Sequence, residues 1–312
     1  GINVKSLYTV AKQYAHAQSA LIAWTMGINQ SYQGTDTVSA LNTLALITGN
    51  IGKQGGAPFS LTGQCNAMGT RESGFTSSIP GYRNFTLEQD RSDYARIAKI
   101  PLDRVPDQRG YKYGEIIEAI ERGEIKALWV VATNPLVSFV NQKRLRDALA
   151  KLELLVVQDA FMSDTAELAD VVFAASTWGE KEGTYTNSER RCNIAQIAVT
   201  PAGNTKPDFN IFLDLAHKLE LTQMLYPNWE KPEDAFNEWR EISRGRLCDY
   251  SGMSYQHIID SNGIQWPCNE KAPNGTKRLY TKEMPFNTKT GKANLIFTPW
   301  LSIEELQNES FP

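Results

Sequence analysis

The feature that most constrains this chain is the alternation of helical and extended patterns between Tyr113 and Ala174. Tyr113–Arg122 places Ile116, Ile117 and Ile120 on one side of a 3.6-residue turn, which predicts an amphipathic helix. Ala127–Ala132 is then a continuous apolar run, the pattern of a strand covered on both faces of a parallel sheet. Gln142–Ala150 predicts another helix, Leu154–Val157 a strand, Glu167–Asp170 a short helical turn and Val171–Ala174 a third strand. Parallel neighbours need crossover connections, so this β-α-β-α-β succession predicts an α/β class, with Rossmann-like layers around a parallel sheet.

The flanks are less regular. Val4–Ser19 predicts an amphipathic helix, Ala20–Met26 a buried strand ending at Gly27, and Thr37–Thr48 a helix stopped by Gly49-Asn50-Ile51-Gly52. Residues 52–90 are rich in Gly, Ser, Pro and Asn and lack periodicity. They predict a long loop of the kind that usually carries function. Phe209–Leu219 predicts a further helix. The stretch beyond Leu221 is rich in Trp, Pro and Asn and reads as irregular, apart from an alternating strand at Lys292–Thr298.

Charge and cysteine content narrow the function classes. With 32 Lys and Arg against 35 Asp and Glu among 312 residues, the net charge is −3. That balance argues against binding nucleic acid through general backbone electrostatics. No apolar run approaches the ~20 residues that span a bilayer, so no membrane partner is expected. Cys65, Cys192, Cys248 and Cys268 form no Cys-x-x-Cys pair, and His16, His217 and His257 are scattered, so no metal site is legible. So few cysteines in so long a chain fit a reducing, cytoplasmic compartment better than a disulfide framework.

In open α/β sheets, ligands bind where loops leave the carboxyl ends of the strands. The predicted strand exits are Gly27-Ile28-Asn29-Gln30, Thr133-Asn134-Pro135 and Gln158-Asp159. Asn and Asp there can hydrogen-bond a ribose, a base or a phosphate; they are equally common as turn residues for backbone reasons. No G-x-G-x-x-G follows any of these strands, so an ordinary dinucleotide fold is not supported. The cluster Trp178–Arg191 also has two readings. It is a charged surface hairpin, or it offers Lys181, Arg190 and Arg191 to a phosphate or carboxylate.

Several ordered segments carry a resemblance. Gly27-Ile-Asn-Gln-Ser31, Leu46–Gly55, Pro58–Glu72, Ala132-Thr-Asn-Pro135, Gln158-Asp-Ala-Phe161 and Trp178–Arg191 resemble the molybdopterin oxidoreductases that use a bis-guanine-dinucleotide cofactor. Within that family the likeness is greatest to the catalytic subunit of assimilatory nitrate reductases, and then to the periplasmic ones. The closing Pro285–Asn294 also fits.

The resemblance implies a molybdenum bis(molybdopterin guanine dinucleotide) cofactor contacted by Met26, Gln30, Asn134, Gln158, Asp159, Lys181 and Asp208. Asp159 would hold a guanosine, and Lys181 a negatively charged part of the cofactor. Gln64 and Arg71 would line the pocket for nitrate. It further implies a [4Fe-4S] cluster in the full-length enzyme, and an electron donor such as ferredoxin, flavodoxin or an NADH-linked subunit. The family's cluster cysteines and molybdenum-ligating cysteine match none of the four here, and Cys65 stands where relatives usually carry Pro.

The chain also lacks an initiator Met. The expectation is therefore a central fragment, inactive alone. Residues 1–57 would end one α/β domain, 58–220 would be the second half of an α/β cofactor-binding domain, and 221–312 an irregular segment leading to a missing C-terminal barrel. The alternatives are a formate dehydrogenase-like oxidoreductase, to which Arg71-Glu72 speaks against, a non-catalytic electron-transfer or structural subunit of the same fold, and a plain nucleotide-binding module.

Overall fold

The computed structural model describes residues 2–75, 78–225 and 227–302. Helix α1 (Val4–His16) starts where the Asn3 side chain accepts from the Lys5 amide at 2.8 Å, satisfying a donor that a first turn leaves free. Strand β1 (Leu21–Trp24) follows, then the single turn α2 (Met26–Asn29) and helix α3 (Gly34–Ile47). The strand expected to run to Met26 thus stops at Trp24. Trp24 donates its indole N–H to Asn29 Oδ1 at 2.9 Å, and Asn29 donates to Ser60 Oγ at 3.1 Å, which folds the exit back onto the next strand. A Cβ at Gly34 would lie 2.4 Å from the Asn29 carbonyl oxygen, so the close approach of this turn to α3 requires glycine.

The segment expected as one long loop is broken by structure. Strand β2 (Ala57–Ser60) runs parallel to β1, pairing Leu21 with Ala57 and Trp24 with Ser60. The short helix α4 (Ala67–Glu72) and helix α5 (Glu88–Ala98) follow. Strand β2 carries Pro58 and ends in Ser60 rather than forming an apolar run, and a six-residue helix is too short to show a period, so neither is visible in the sequence.

The order of elements in the alternating region follows the patterns, but Ala127–Val131 is not covered on both faces: only Val130 is buried there, and Val171 and Val172 of the third strand are exposed. Helix α6 (Tyr113–Glu121) leads into β3 (Ala127–Val131). The turn α7 (Pro135–Ser138) and helix α8 (Gln142–Leu149) cross to β4 (Leu154–Asp159), and a 3-10 turn at Ala166–Leu168 precedes β5 (Val171–Ala174). These strands form a parallel sheet in the order β3-β4-β5. Ile117 and Ile120 of α6, Leu145 and Leu149 of α8, and Leu155 and Val157 of β4 close one core. Strand β4 is longer than expected: Gln158 pairs with Val131 and Phe173, and Asp159 with Ala174, so both belong to the ladder rather than to the loop after it.

A third layer is antiparallel. Strands β6 (Gly183–Thr186) and β7 (Arg191–Ala195) form a hairpin, followed by α9 (Asp208–Lys218), α10 (Thr222–Leu225), α11 (Pro232–Ser243), α12 (Tyr255–Asp260) and β8 (Ile264–Gln265), which pairs with β7. The segment beyond Leu221 is therefore not irregular as expected. Phe236, Tyr250, Met253, Ile258 and Trp266 build a core there with Cys192 and Cys268. Its apolar residues are large aromatics on short elements and loops, so packing exists without a repeating pattern. The expected strand at Lys292–Thr298 joins no ladder among the described residues, and Phe297 is 90% exposed. A strand without a neighbour has no partner for its backbone groups. No helix among the described residues is long and apolar enough to cross a membrane.

Candidate functional site

Two places hold the residues expected to carry function. The first is the carboxyl edge of the β3-β4-β5 sheet. Ala132, the first residue after β3, takes a left-handed φ of 54° while its amide donates to the Gln158 carbonyl at 2.8 Å. That conformation, costly for a residue with a Cβ, turns the chain out of the sheet and delivers Asn134 to its edge. Asn134 Oδ1 accepts from the Thr165 hydroxyl at 2.7 Å and the Thr165 amide at 3.3 Å, and its Nδ2 donates to Asp164 at 3.3 Å. Asp159 Oδ1 accepts from the Phe161 amide at 3.2 Å. Both side chains thus perform the turn-closing work that such residues commonly do.

Beside them, three expected cofactor residues meet. The segment before α9 is stitched to the end of β5: Lys206 donates to the Ala174 carbonyl at 3.0 Å, and its own carbonyl accepts from the Ser176 amide at 2.9 Å. This places Asp208, at the first turn of α9, next to Gln158 and Lys181. Gln158 Nε2 donates to Asp208 Oδ1 at 2.7 Å, and the Lys181 ammonium forms an ion pair with Asp208 Oδ2. Gln158 is fully buried, and its Oε1 has no hydrogen-bond partner among the described residues. A buried acceptor without a donor is costly, so it is a natural contact for a ligand N–H or a water.

Met26 and Gln30 lie apart from this cluster in the fold, on α2 and at its C-terminal cap beyond β1, both exposed.

The second place is α4. Gln64 and Arg71 are exposed, and the Arg71 guanidinium makes no hydrogen bond or ion pair among the described residues. Its neighbour Glu72 is the opposite: 1% exposed, it accepts from Tyr250 Oη at 2.5 Å and from Trp266 Nε1 at 2.7 Å. Burial pushes its carboxyl up to about 7, against the pull of those two hydrogen bonds and of Arg190. Only Arg71 of the expected Arg71-Glu72 pair is therefore presented outward. At the other end of α4, Asn66 Oδ1 accepts from the Thr186 amide at 2.9 Å, so both ends of the helix are held by the antiparallel layer. The sequence named Glu72 only as Arg71's neighbour and missed its burial, since an acid on a short helix ordinarily points to water.

The charged cluster Trp178–Arg191 resolves towards its hairpin reading. Arg190 donates to the Trp266, Thr276 and Lys277 carbonyls and stacks over the Trp266 ring at 5.2 Å. Arg191 donates to the Gly263 carbonyl at 2.9 Å. These guanidinium groups staple the hairpin to the segment 263–277 rather than awaiting a phosphate. A cleft of about 1010 Å³ lies between the Gly52–Pro58 loop and Arg190, Arg191, Trp266 and Arg278; Gln64, Arg71 and the expected cofactor residues do not line it. Burial pushes the Cys192 and Cys248 thiols up to about 12, which makes them inert core residues. Among the described residues no group of His, Cys, Asp and Glu is arranged to hold a metal ion.

Comparison with known proteins supplies the family. The family model for molybdopterin oxidoreductases matches residues 2–218. The chain is 36% identical to a nitrate reductase of Synechocystis sp., an alignment covering all of this chain and 44% of the relative. It is 37% identical to the assimilatory nitrate reductase catalytic subunit of Bacillus subtilis, covering 90% of this chain and 39% of the relative. To formate dehydrogenase H of Escherichia coli it is 32% identical, covering 99% of this chain and 42% of that protein. The chain thus spans less than half the length of these relatives. A match over residues 2–218, on a parallel α/β framework, establishes that this chain belongs to the molybdopterin oxidoreductase family.

Proposed function

We propose that this chain forms the substrate-facing and cofactor-tail region of a molybdenum nitrate reductase, which reduces nitrate to nitrite. The observation that carries this reading is Arg71, an exposed guanidinium without an internal anion on a helix anchored at both ends. A small planar oxyanion is best held by a planar, permanently charged group with directed donors. Gln64, exposed on the loop before α4, would add an amide donor. The likeness to nitrate reductases over 90% or more of the chain supports it.

The residues at the sheet edge fit a molybdopterin cofactor, here read in its guanine dinucleotide form. The free Oε1 of Gln158 suits a ring N–H. Lys181 brings a cation for a diphosphate, while Asp208 holds it in position. Asn134 and Asp159 would orient the loops around the nucleotide, and Met26 and Gln30, apart from that edge on and beside α2, would contact another part of the cofactor. When bound, the cofactor supplies the two-electron oxygen-transfer chemistry. The chain's own residues bind the anion, orient it and fix the tails. Electrons would reach it through an iron–sulfur cluster, from a ferredoxin, flavodoxin or NADH-linked donor in the cytoplasm. The 312-residue chain by itself is expected to show no nitrate turnover with reduced viologen.

Formate is also a small monoanion, and the likeness to formate dehydrogenase H gives a second reading. Kinetics of the holoenzyme separate them. Arg71→Lys should raise the KM for nitrate about tenfold with kcat nearly unchanged, because one directed donor pair is lost. An unchanged KM removes Arg71 from the pocket. Formate oxidation without nitrate reduction by the wild-type holoenzyme sinks the nitrate reading.

A further inference from the structure

The turn that follows α4 carries a bulky residue in a conformation that turns usually give to glycine. Ile79 and Arg83 form an antiparallel bridge: the Ile79 amide donates to the Arg83 carbonyl at 3.0 Å and the Arg83 amide to the Ile79 carbonyl at 3.1 Å. Pro80, Gly81 and Tyr82 close the loop between them, in the stretch 52–90 whose composition marks it as a functional loop. Gly81 and Tyr82 are both left-handed, with φ of 79° and 56°. Glycine takes that conformation freely, whereas an aromatic residue is strained in it.

The loop is held from several sides. The Gly81 amide donates to the Glu72 carbonyl at 2.7 Å, and the Gly81 carbonyl accepts from Arg246 Nε at 3.0 Å. Arg83, fully buried, donates to the Pro80 and Ile242 carbonyls at 2.9 Å each and to Asp93 of α5 at 3.0 Å. Strain persists where the surroundings over-determine it in this way, and it gathers at ligand sites. The bond from Gly81 to Glu72 sets Tyr82 beside the end of α4, where Arg71 is the outward residue. Tyr82 is itself exposed, and its hydroxyl has no hydrogen-bond partner among the described residues. Burial and the Glu72 charge push the phenol up while the Arg71 charge holds it back, so both charges reach it and it keeps its proton at neutral pH.

We propose that the Tyr82 hydroxyl is a second ligand of the anion bound at Arg71, donating to the oxygen that the guanidinium leaves free. This rests on the reading of Arg71 as the anion's ligand. A guanidinium fork satisfies two oxygens in one plane, and nitrate has three. The remaining oxygen needs a donor from another direction, and a neutral phenol supplies it without adding charge. An anion with only two oxygens gains nothing from that donor. Tyr82 therefore makes the site prefer a three-oxygen planar anion over a two-oxygen anion of equal charge. The strained, pinned turn serves this role because a donor fixed in advance loses little freedom when the anion arrives.

The test is anion binding to the holoenzyme without an electron donor, by calorimetry with nitrate and with nitrite, which has the same charge and one oxygen fewer. Tyr82→Phe should weaken nitrate binding about tenfold and nitrite binding by less than about twofold, because one hydrogen bond to an anion is lost for nitrate alone. Tyr82→Gly, which suits the left-handed backbone, should show the same loss of preference for nitrate. Nitrate binding by Tyr82→Phe within about twofold of the wild type, or equal losses for the two anions, overturns the proposal. Arg71→Gln separates the two claims. Wild-type nitrate binding by that variant sinks the pocket reading and the second ligand with it. Loss of binding there, beside a Tyr82→Phe protein that keeps the wild-type preference for nitrate, sinks the second ligand alone.

Discussion

The sheet edge and helix α4 solve the same problem in opposite ways. At the sheet edge the polar groups are already partnered: Lys181 with Asp208, Asp208 with Gln158, Asn134 with Thr165. A ligand arriving there must replace or join bonds that exist, and the spare Gln158 oxygen is the exception. On α4 the Arg71 guanidinium, the proposed anion ligand, has no partner among the described residues, and the holding is done by its neighbours Asn66 and Glu72. The lesson is a division of labour. A broad cofactor surface can rest on partnered groups anchored to a parallel sheet, whereas a site for a small anion needs one unsatisfied cation on a rigidly fixed element.

That contrast can be broken most forcefully at Glu72. Glu72→Leu leaves the Tyr250 hydroxyl and the Trp266 indole N–H buried without acceptors, so chemical denaturation should show a loss of about 4 kcal/mol. A pH series sharpens the same point. The Glu72 carboxyl lies near 7 in the folded chain against an ordinary 4.5, so the folded state holds this proton more tightly. Its contribution is complete below the ordinary value and is lost as pH rises through about 7. Between those limits the group should account for roughly 3 kcal/mol of stability, and Glu72→Gln should flatten that part of the profile.

At the sheet edge the expected effect is smaller. Asp208→Ala removes the partner of both Lys181 and Gln158, but Lys181 and Asp208 are each about a quarter exposed and partly screened by water. A loss of about 1.5 kcal/mol is expected, and a loss as large as that at Glu72 would erase the distinction between the regions. The smallest effect belongs to Arg71→Ala. An exposed side chain without partners among the described residues should cost within about 0.5 kcal/mol in stability, even though the proposed anion site rests on it.

The sheet region was legible because its residues repeat. Ile116, Ile117 and Ile120 mark a helix face, and Ala127–Val131 and Leu154–Val157 mark strands, over spans long enough for a period to show. Asn134, Gln158 and Asp159 follow as residues at strand ends. Two details were not legible there: β4 continues through Asp159, and Asp208 reaches Gln158 across 50 positions. The antiparallel layer was almost opaque. Its aromatic core lies on short elements and loops beyond Leu221, and the strand expected at Lys292–Thr298 found no neighbour among the described residues. For Arg190 and Arg191 the sequence left a surface hairpin and anion ligands equally open, and only their carbonyl partners reveal staples.

By itself, then, the sequence determined the α/β alternation, the parallel sheet, and the ordered segments that mark the family. These depend on local periodicity and on residues close together along the chain, which a linear reading can see. Tertiary structure alone decided which of two adjacent charged residues is a free cation and which a buried acid. Arg71 and Glu72 differ because Tyr250 and Trp266, 178 and 194 positions away from Glu72, close over one side of α4 and leave the other open. Desolvation and hydrogen bonding at that distance along the chain are properties of the packed molecule, with no trace in the spacing of its residues.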